Sequence, residues 1–271
     1  MTEAPAPLQA LIAAHHARKP PRTWSLLVTI FGVVALPRGE ALRLSDLQDW
    51  LGALGIEPGL VRTALSRLVS NGTLTRERDG KAALYRLSPG AEDDFGRAAA
   101  LIFGDDRPQP DGRLHLVLIE EGSDRAGLRA ELVESGYGAL AANLLARPVH
   151  AGREDRQGEG LTGFHAEGEA VLAARVQGLW PLASLQAGYR MVAGHAAALL
   201  PLAPGLGWRE AFLARLLLVH EFRRLVLRDP FLPEGLLPAD WPGPEARRLF
   251  DGTLAALEAR LRLLEAGRVD L

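Results

Sequence analysis

Apolar and polar positions over residues 22–103 switch between a helical and a strand period in a definite order. The run SLLVTIFGVVAL (25–36) predicts a buried helix over 22–36 that Pro37 ends, and Pro37-Arg38-Gly39-Glu40 reads as a turn. Leu42-Arg43-Leu44 suits one short strand. Ser45, with Gln48 three residues on, predicts a capping box and a second helix over 46–54, stopped by Gly55. Glu57 and Pro58 open a third helix, which Asn71-Gly72 ends. Along it Leu60, Val61, Ala64, Leu65 and Leu68 are apolar, whereas Arg62, Thr63, Ser66, Arg67 and Ser70 are polar. A 3.6-residue repeat puts these sets on opposite faces. Strands over 73–78 and 82–87 follow, joined by Asp79-Gly80-Lys81, a tight-turn signal. Three helices and a hairpin in this order predict a winged helix-turn-helix, and Ser88-Pro89 open a further helix over 89–103.

The pattern then changes. GDDRPQPDG (104–112) is a loop and a domain boundary. LHLVLIE (114–120) is a strand, 124–136 a helix ended by Gly136, and short extended pieces are expected at 146–150 and 161–166, around a polar loop at 151–160. This suits a small ferredoxin-like sheet. From about residue 180 two long amphipathic helices, a proline-rich link at 230–244 and a last helix complete the chain. The expected fold is α+β. Residues 1–21 form an N-terminal arm, 22–104 a winged helix-turn-helix, 111–178 a ferredoxin-like middle domain and 179–271 a helical C-terminal domain.

Composition narrows the function. With 271 residues there is room for several cores, and with no cysteine there is no disulfide or thiolate metal site. The longest apolar run is too short to span a bilayer and lacks signal-peptide flanks, so the expectation is a cytoplasmic protein with no membrane partner. The net charge of −2 is unevenly spread: residues 18–90 carry a net of +5 and residues 91–271 a net of −6. A basic first third on an acidic remainder suits a nucleic-acid-binding module attached to a sensing or assembly module.

The third helix carries the sharpest chemistry. Arg62 and Arg67 suit guanine O6 and N7, and Thr63 and Ser66 suit base edges or phosphate, with double-stranded operator DNA as partner. Arg76, Arg78, Lys81 and Arg86 of the hairpin suit phosphate or the minor groove, and Arg22 and Arg38 flank the first helix. His220, Arg223, Arg224 and Arg228 sit in an otherwise apolar helix, either as an anionic effector site or as an ion-pair network. His220-Glu221 resembles the start of a zinc-protease motif, but Arg224 stands where the second histidine belongs. His15-His16 and the pairs Asp93-Asp94, Asp105-Asp106 and Glu120-Glu121 are sequence neighbours whose side chains diverge, and read as solvated groups. No P-loop, nucleophile elbow or dinucleotide fingerprint is present, and neither a catalytic site, a metal site nor a cofactor is expected.

These residues resemble a known family. SLLVTIFGVVALPRGE, LVRTALSRLVSNGTLTRERDG and LYRLSPG are similar to the N-terminal domain of the PaaX family, repressors of phenylacetate catabolism, and VHEFRRLVLRDPFLPEGLLPADWPGPEAR is similar to its C-terminal domain. The resemblance implies a homodimeric repressor with a winged helix, a middle ferredoxin-like domain similar to a CRISPR-associated small nuclease, and a helical C-terminal domain. It also implies release from DNA by an aryl-CoA effector such as phenylacetyl-CoA. On that resemblance Arg62, Thr63, Ser66 and Arg67, with the wing from Arg76 to Arg86, are the DNA-contacting residues. The chain departs from many members at Val33, Glu40 and Pro110. A metal-dependent nuclease using the middle domain, or a winged-helix adaptor that docks protein, are the alternatives.

Overall fold

A computed structural model describes residues 4–17, 23–104, 108, 110–150, 155–167 and 177–269. Arg22, the pair Asp105-Asp106 and residues 151–154 of the polar loop lie outside the described residues. The chain is mixed α and β with a helical C-terminal region, divided into two compact units. The first comprises Met1–Asp105, Met191–Arg224 and Glu245–Leu271, the second Asp106–Arg190 and Leu225–Pro244.

The first unit opens with α1 (Ala6–Ala17) and α2 (Thr23–Ile30). Helix α2 does not stop before Pro37. It passes through a π-helical turn (Phe31–Ala35) into α3 (Leu36–Arg38), which Gly39 closes at φ 63°. A proline has no N–H for the carbonyl four residues back, here Val33, and its ring crowds that oxygen. The π turn widens the local spacing, with Leu36 N–H bonded to the Phe31 carbonyl. Arg215 Nη2 donates to the Val33 carbonyl at 3.2 Å. Buried Leu26, Leu27, Ile30 and Phe31 face the core.

Next come β1 (Leu42–Arg43), α4 (Leu44–Gly52), α5 (Pro58–Ser70), β2 (Leu74–Asp79), β3 (Ala82–Leu87) and α6 (Pro89–Phe103). The expected cap of α4 is not formed. Its N-cap is Arg43, Ser45 lies inside the first turn with its hydroxyl donating to Asp46, and Gln48 Nε2 donates to the Pro58 carbonyl at 3.4 Å. Pairing of β1 with β3 starts the helix two residues earlier than the capping box requires. Ser88, by contrast, caps α6 by accepting from Ala91 N–H. The three strands lie in the order β1-β3-β2, all antiparallel, and Gly80 turns the hairpin at φ 58°.

Three helices complete the chain: α8 (Leu182–Leu199), α9 (Trp208–Val226) and α10 (Gly243–Val269). Helix α9 is buried on all sides along its middle. From Ala211 to Phe222 every residue but Arg215 is buried, because helices of the first unit surround it. Phe222 stacks on Phe250 of α10 with ring centroids 4.0 Å apart. Arg247 of α10, 4% exposed, donates to the carbonyls of Leu101, Ile102 and Gly104 at the C-terminal end of α6. It supplies both hydrogen bonds and positive charge to a helix end whose carbonyls lack intrahelical partners.

The second unit holds a sheet of β4 (Pro110–Ile119), β5 (Gly138–Ala139), β6 (Leu144–His150) and β7 (Leu161–Glu167), with α7 (Arg125–Glu134) against it. The order is β5-β6-β4-β7 and every pairing is antiparallel. Asp124 caps α7 by accepting from Gly127 N–H, and Gly136 ends it at φ 88°. Val117, Ile119, Leu132, Tyr137 and Leu145 make the core between helix and sheet. Strand β7 is an edge and is largely exposed, including Phe164. Among the described residues no helix is long and apolar enough to cross a membrane.

Candidate nucleic-acid interface

Helix α5 turns Val61, Ala64, Leu65 and Leu68 inward and packs against α2 and α4. Arg62, Thr63, Ser66, Arg67 and Ser70 are exposed together. Gly55 at φ 73° makes the turn before it, and Glu57 is an extended N-cap. One position departs from the sequence reading: Leu60 is 55% exposed. At about 100° per residue it lies about 90° from the centre of the buried stripe and about 20° from Arg67. It therefore belongs to the outer face, where an apolar group suits a thymine methyl. Thr63 Oγ1 donates to the Gly59 carbonyl at 3.0 Å, which leaves its oxygen lone pairs as acceptors.

Strand register separates the hairpin cations. Alternate residues point to opposite faces, so Arg76 and Arg78 share the face of Leu74 and Tyr85. Arg86 lies on the other face, opposite Thr75, with Glu77 and Asp79. There Arg86 Nε lies 3.5 Å from Glu77 Oε1, its Nη1 donates to the Gly39 carbonyl, and Arg43 lies 3.6 Å from Asp79. Arg62, Arg67, Arg76, Arg78 and Lys81 make no ion pair among the described residues. Five exposed cations are thus carried by one helix face and one hairpin, while Arg86 and Arg43 are already balanced by carboxylates. Arg38 lies 4.0 Å from Glu265.

The four polar residues expected as an effector site differ in setting. His220 is buried, and its Nδ1 lies 2.8 Å from Thr29 Oγ1, which itself donates to the Ser25 carbonyl at 3.1 Å. Arg223 reaches the Ser25 carbonyl and hydroxyl, each at 3.2 Å, and its Nε is buried with no partner. Burial, then the neighbouring charge of Arg224, lowers the Arg223 guanidinium to about 10. Arg224 is half-buried, and Arg228 is exposed and belongs to the second unit.

Two groups that sequence spacing does not reveal come together in space. His15, His220 and Glu221 have one ligating atom each within 4.8 Å of one another, as do His115, Asp155 and His165. In the first group α1 supplies the second histidine that α9 lacks, and the set has the two-imidazole, one-carboxylate chemistry of a divalent-cation site. The second is a hydrogen-bonded row across the sheet. Arg147, His115 and His165 are direct neighbours on β6, β4 and β7, with Asp155 accepting from His165 at 2.7 Å and lying 3.4 Å from Arg147. Tyr137 OH lies 2.7 Å from His115 Nδ1. Burial, the largest influence, holds the His115 imidazole below its ordinary value, against the opposite pull of Asp155. Because Arg147 already balances Asp155, this row is complete as a charge arrangement without a cation. The only sequence signal for either group is the histidine at each strand or helix position; their meeting is set by long-range packing.

Residues 22–91 match the family model described as PaaX-like protein, and residues 180–262 match that of the PaaX-like protein C-terminal domain. The transcriptional repressor PaaX of Escherichia coli (strain K12) is 35% identical over 247 residues, covering 83% of this chain and 77% of that one. Among solved structures, the uncharacterized protein Rv0674 from Mycobacterium tuberculosis is similar with a TM-score of 0.56 at 25% identity, over 87% of this chain and 97% of that chain. Two family domains in order, and a curated relative matched over most of both chains, place this chain in the PaaX family.

Proposed function

We propose that the chain is a non-enzymatic transcriptional repressor that binds double-stranded operator DNA through α5. On this reading α4, α5 and the β2–β3 hairpin are a winged helix-turn-helix. Arg62, Thr63, Ser66 and Arg67 read base edges in the major groove, with Leu60 beside them, and Arg76, Arg78 and Lys81 contact phosphate. The observation that carries it is the single exposed face of α5, with two arginines free of carboxylates beside a hairpin bearing three more cations. The relative named a repressor supports the same role.

The proposed functional division is into a reader (22–104), a middle domain (111–178) and a helical effector and dimerisation domain (179–271). The sheet order β5-β6-β4-β7 supports a ferredoxin-like middle domain, and the exposed edge strand β7 supports pairing with a second copy into a cytoplasmic homodimer. Two recognition helices would then meet a palindromic operator. An aryl-CoA thioester such as phenylacetyl-CoA is the proposed effector, its phosphates suited to arginines and its release of DNA a coupling of about 1–3 kcal/mol.

Gel-shift titration of operator and random duplexes tests the reading. Arg62→Ala and Arg67→Ala should each remove about 1–3 kcal/mol of discrimination while the protein stays folded. Undiminished operator preference in both variants would overturn the assignment of α5.

A further inference from the structure

A cleft of about 180 Å³ lies between α2, α6 and α9 in the first unit. Its walls are apolar: Val28, Gly32, Val33, Phe95, Ile102 and Val219. Arg223 is the cation that faces it, and Asp94 stands at its rim. Asp94 is exposed and bonded to Arg97, so it does not balance Arg223.

The surroundings of Arg223 are unusual. Among the described residues its hydrogen bonds go only to the neutral oxygens of Ser25. No carboxylate lies within ion-pair distance of it among the described residues, and the other charge that acts on it is the like charge of Arg224. Its Nε is buried without a partner. Buried charges are ordinarily paired, because an unpaired one carries the desolvation penalty with no Coulombic return. An anion in the cleft would supply the missing charge. Guanidinium and carboxylate geometries match through two parallel N–H···O bonds. The volume sets the rest of the ligand: an apolar cavity of about 150 Å³ accommodates benzene, so this cleft has room for one ring or a short branched chain. One wall is the π-helical turn Phe31–Ala35, a distortion that recurs at binding sites.

We infer that this cleft binds a small apolar monocarboxylate, its carboxylate on Arg223 and its hydrocarbon body against Val33, Phe95 and Ile102. The site needs nothing from the DNA reading. A regulatory consequence does rest on that reading: α2 forms one wall of the cleft and packs against α5, so occupancy acts on the proposed recognition helix through one intervening helix.

The full chain, without DNA, should be titrated by calorimetry with benzoate, cyclohexylacetate and 3-phenylpropionate, and with the matching amides. At least one acid should bind saturably and about tenfold or more tighter than its amide, the difference expected for a hydrogen bond to a charged group. Arg223→Gln should abolish the preference for acid over amide. Ala99→Phe, which fills the cleft and leaves Arg223 in place, should abolish binding of both. Equal affinity for acid and amide, or wild-type binding by folded Ala99→Phe, would overturn the site, as would binding of the corresponding coenzyme A thioesters but of none of the acids. An acid that binds yet leaves operator retention unchanged in a gel shift would overturn the coupling to α5 alone.

Discussion

Arg86 of the hairpin donates through Nη1 to the carbonyl of Gly39 at 2.8 Å. The bond ties β3 to the left-handed turn that closes α3, and Glu77 flanks the same guanidinium. Arg86 therefore acts as a brace, although the sequence places it in a row of phosphate-binding cations. Arg86→Ala should lower the stability of the first unit by about 1 kcal/mol, read as a shift in the urea midpoint. An unchanged midpoint combined with a loss of DNA affinity equal to that of Arg78→Ala would show that Arg86 serves DNA instead.

Arg78 and Lys81 are exposed and free of carboxylates, and the proposed role for each is one phosphate contact. Alanine at either position should weaken binding about equally for operator and random duplex. Each should also reduce the slope of log K against log salt by roughly 1. A change in sequence preference with the slope intact would assign them to bases.

Arg247 gathers the carbonyls that end α6 while its guanidinium lies 5.1 Å from the centre of the Phe222 ring. Arg247→Met keeps most of the volume and removes every donor. One buried and two partly buried carbonyls then lose this partner, and chemical denaturation should show a loss of about 2–4 kcal/mol. Arg248→Ala, beside it but exposed and paired only with Glu245, should leave the midpoint unmoved.

These arginines show where sequence reading stops. The order of helices, hairpin and sheet strands was legible because burial imposes periods of 3.6 and 2, and because Asp79-Gly80, Ser88 and Asp124 act on their own neighbours. Local signals failed where tertiary contact outweighed them. Ser45 had the spacing of a cap, yet β1 pairing started α4 too early for it. Leu60 had the residue type of a core position, but its angle put it outside. The Thr29–His220 bond spans 191 residues, and no local pattern distinguishes His220 as its partner. On α5 the outward arginines were visible as a face; the divided roles of the hairpin cations required the strand register.

Gly163 sits on β7 where a Cβ would fall 2.6 Å from His115 Nε2. Gly163→Ala must push the imidazole out of its bond with Tyr137 and away from Asp155, and should destabilise the second unit by about 1–3 kcal/mol in urea titration. Gly158→Ala, with open space at the same position, is the matched control. Equal midpoints for the two variants would mean that the row gives way without loss.

Asp229 accepts from Tyr189 OH at 2.7 Å and from Phe231 N–H at 2.8 Å, and it steadies Phe231 at a left-handed φ of 49°. Burial outweighs both hydrogen bonds and raises the carboxyl above its ordinary value. The folded state thus holds this proton over a pH range in which the unfolded chain, titrating near 3.9, has released it. Its contribution is fully present below the unfolded value and is lost as pH rises through the folded one. Unfolding free energies measured upward from pH 4 should show this decline in the wild type relative to Asp229→Asn. Parallel curves for the two proteins would remove Asp229 as its source.

The π-helical turn at Phe31–Ala35 also constrains how this segment tolerates insertion and deletion. Removing one residue there would restore ordinary α spacing and re-aim everything beyond it. Gly39 would swing away from Arg86, and Pro37 would meet a carbonyl with no slack to receive its ring. Point substitutions within the segment leave the chain length intact, whereas a single-codon deletion alters two unrelated contacts at once. Length, more than residue identity, is the property this stretch has to inherit.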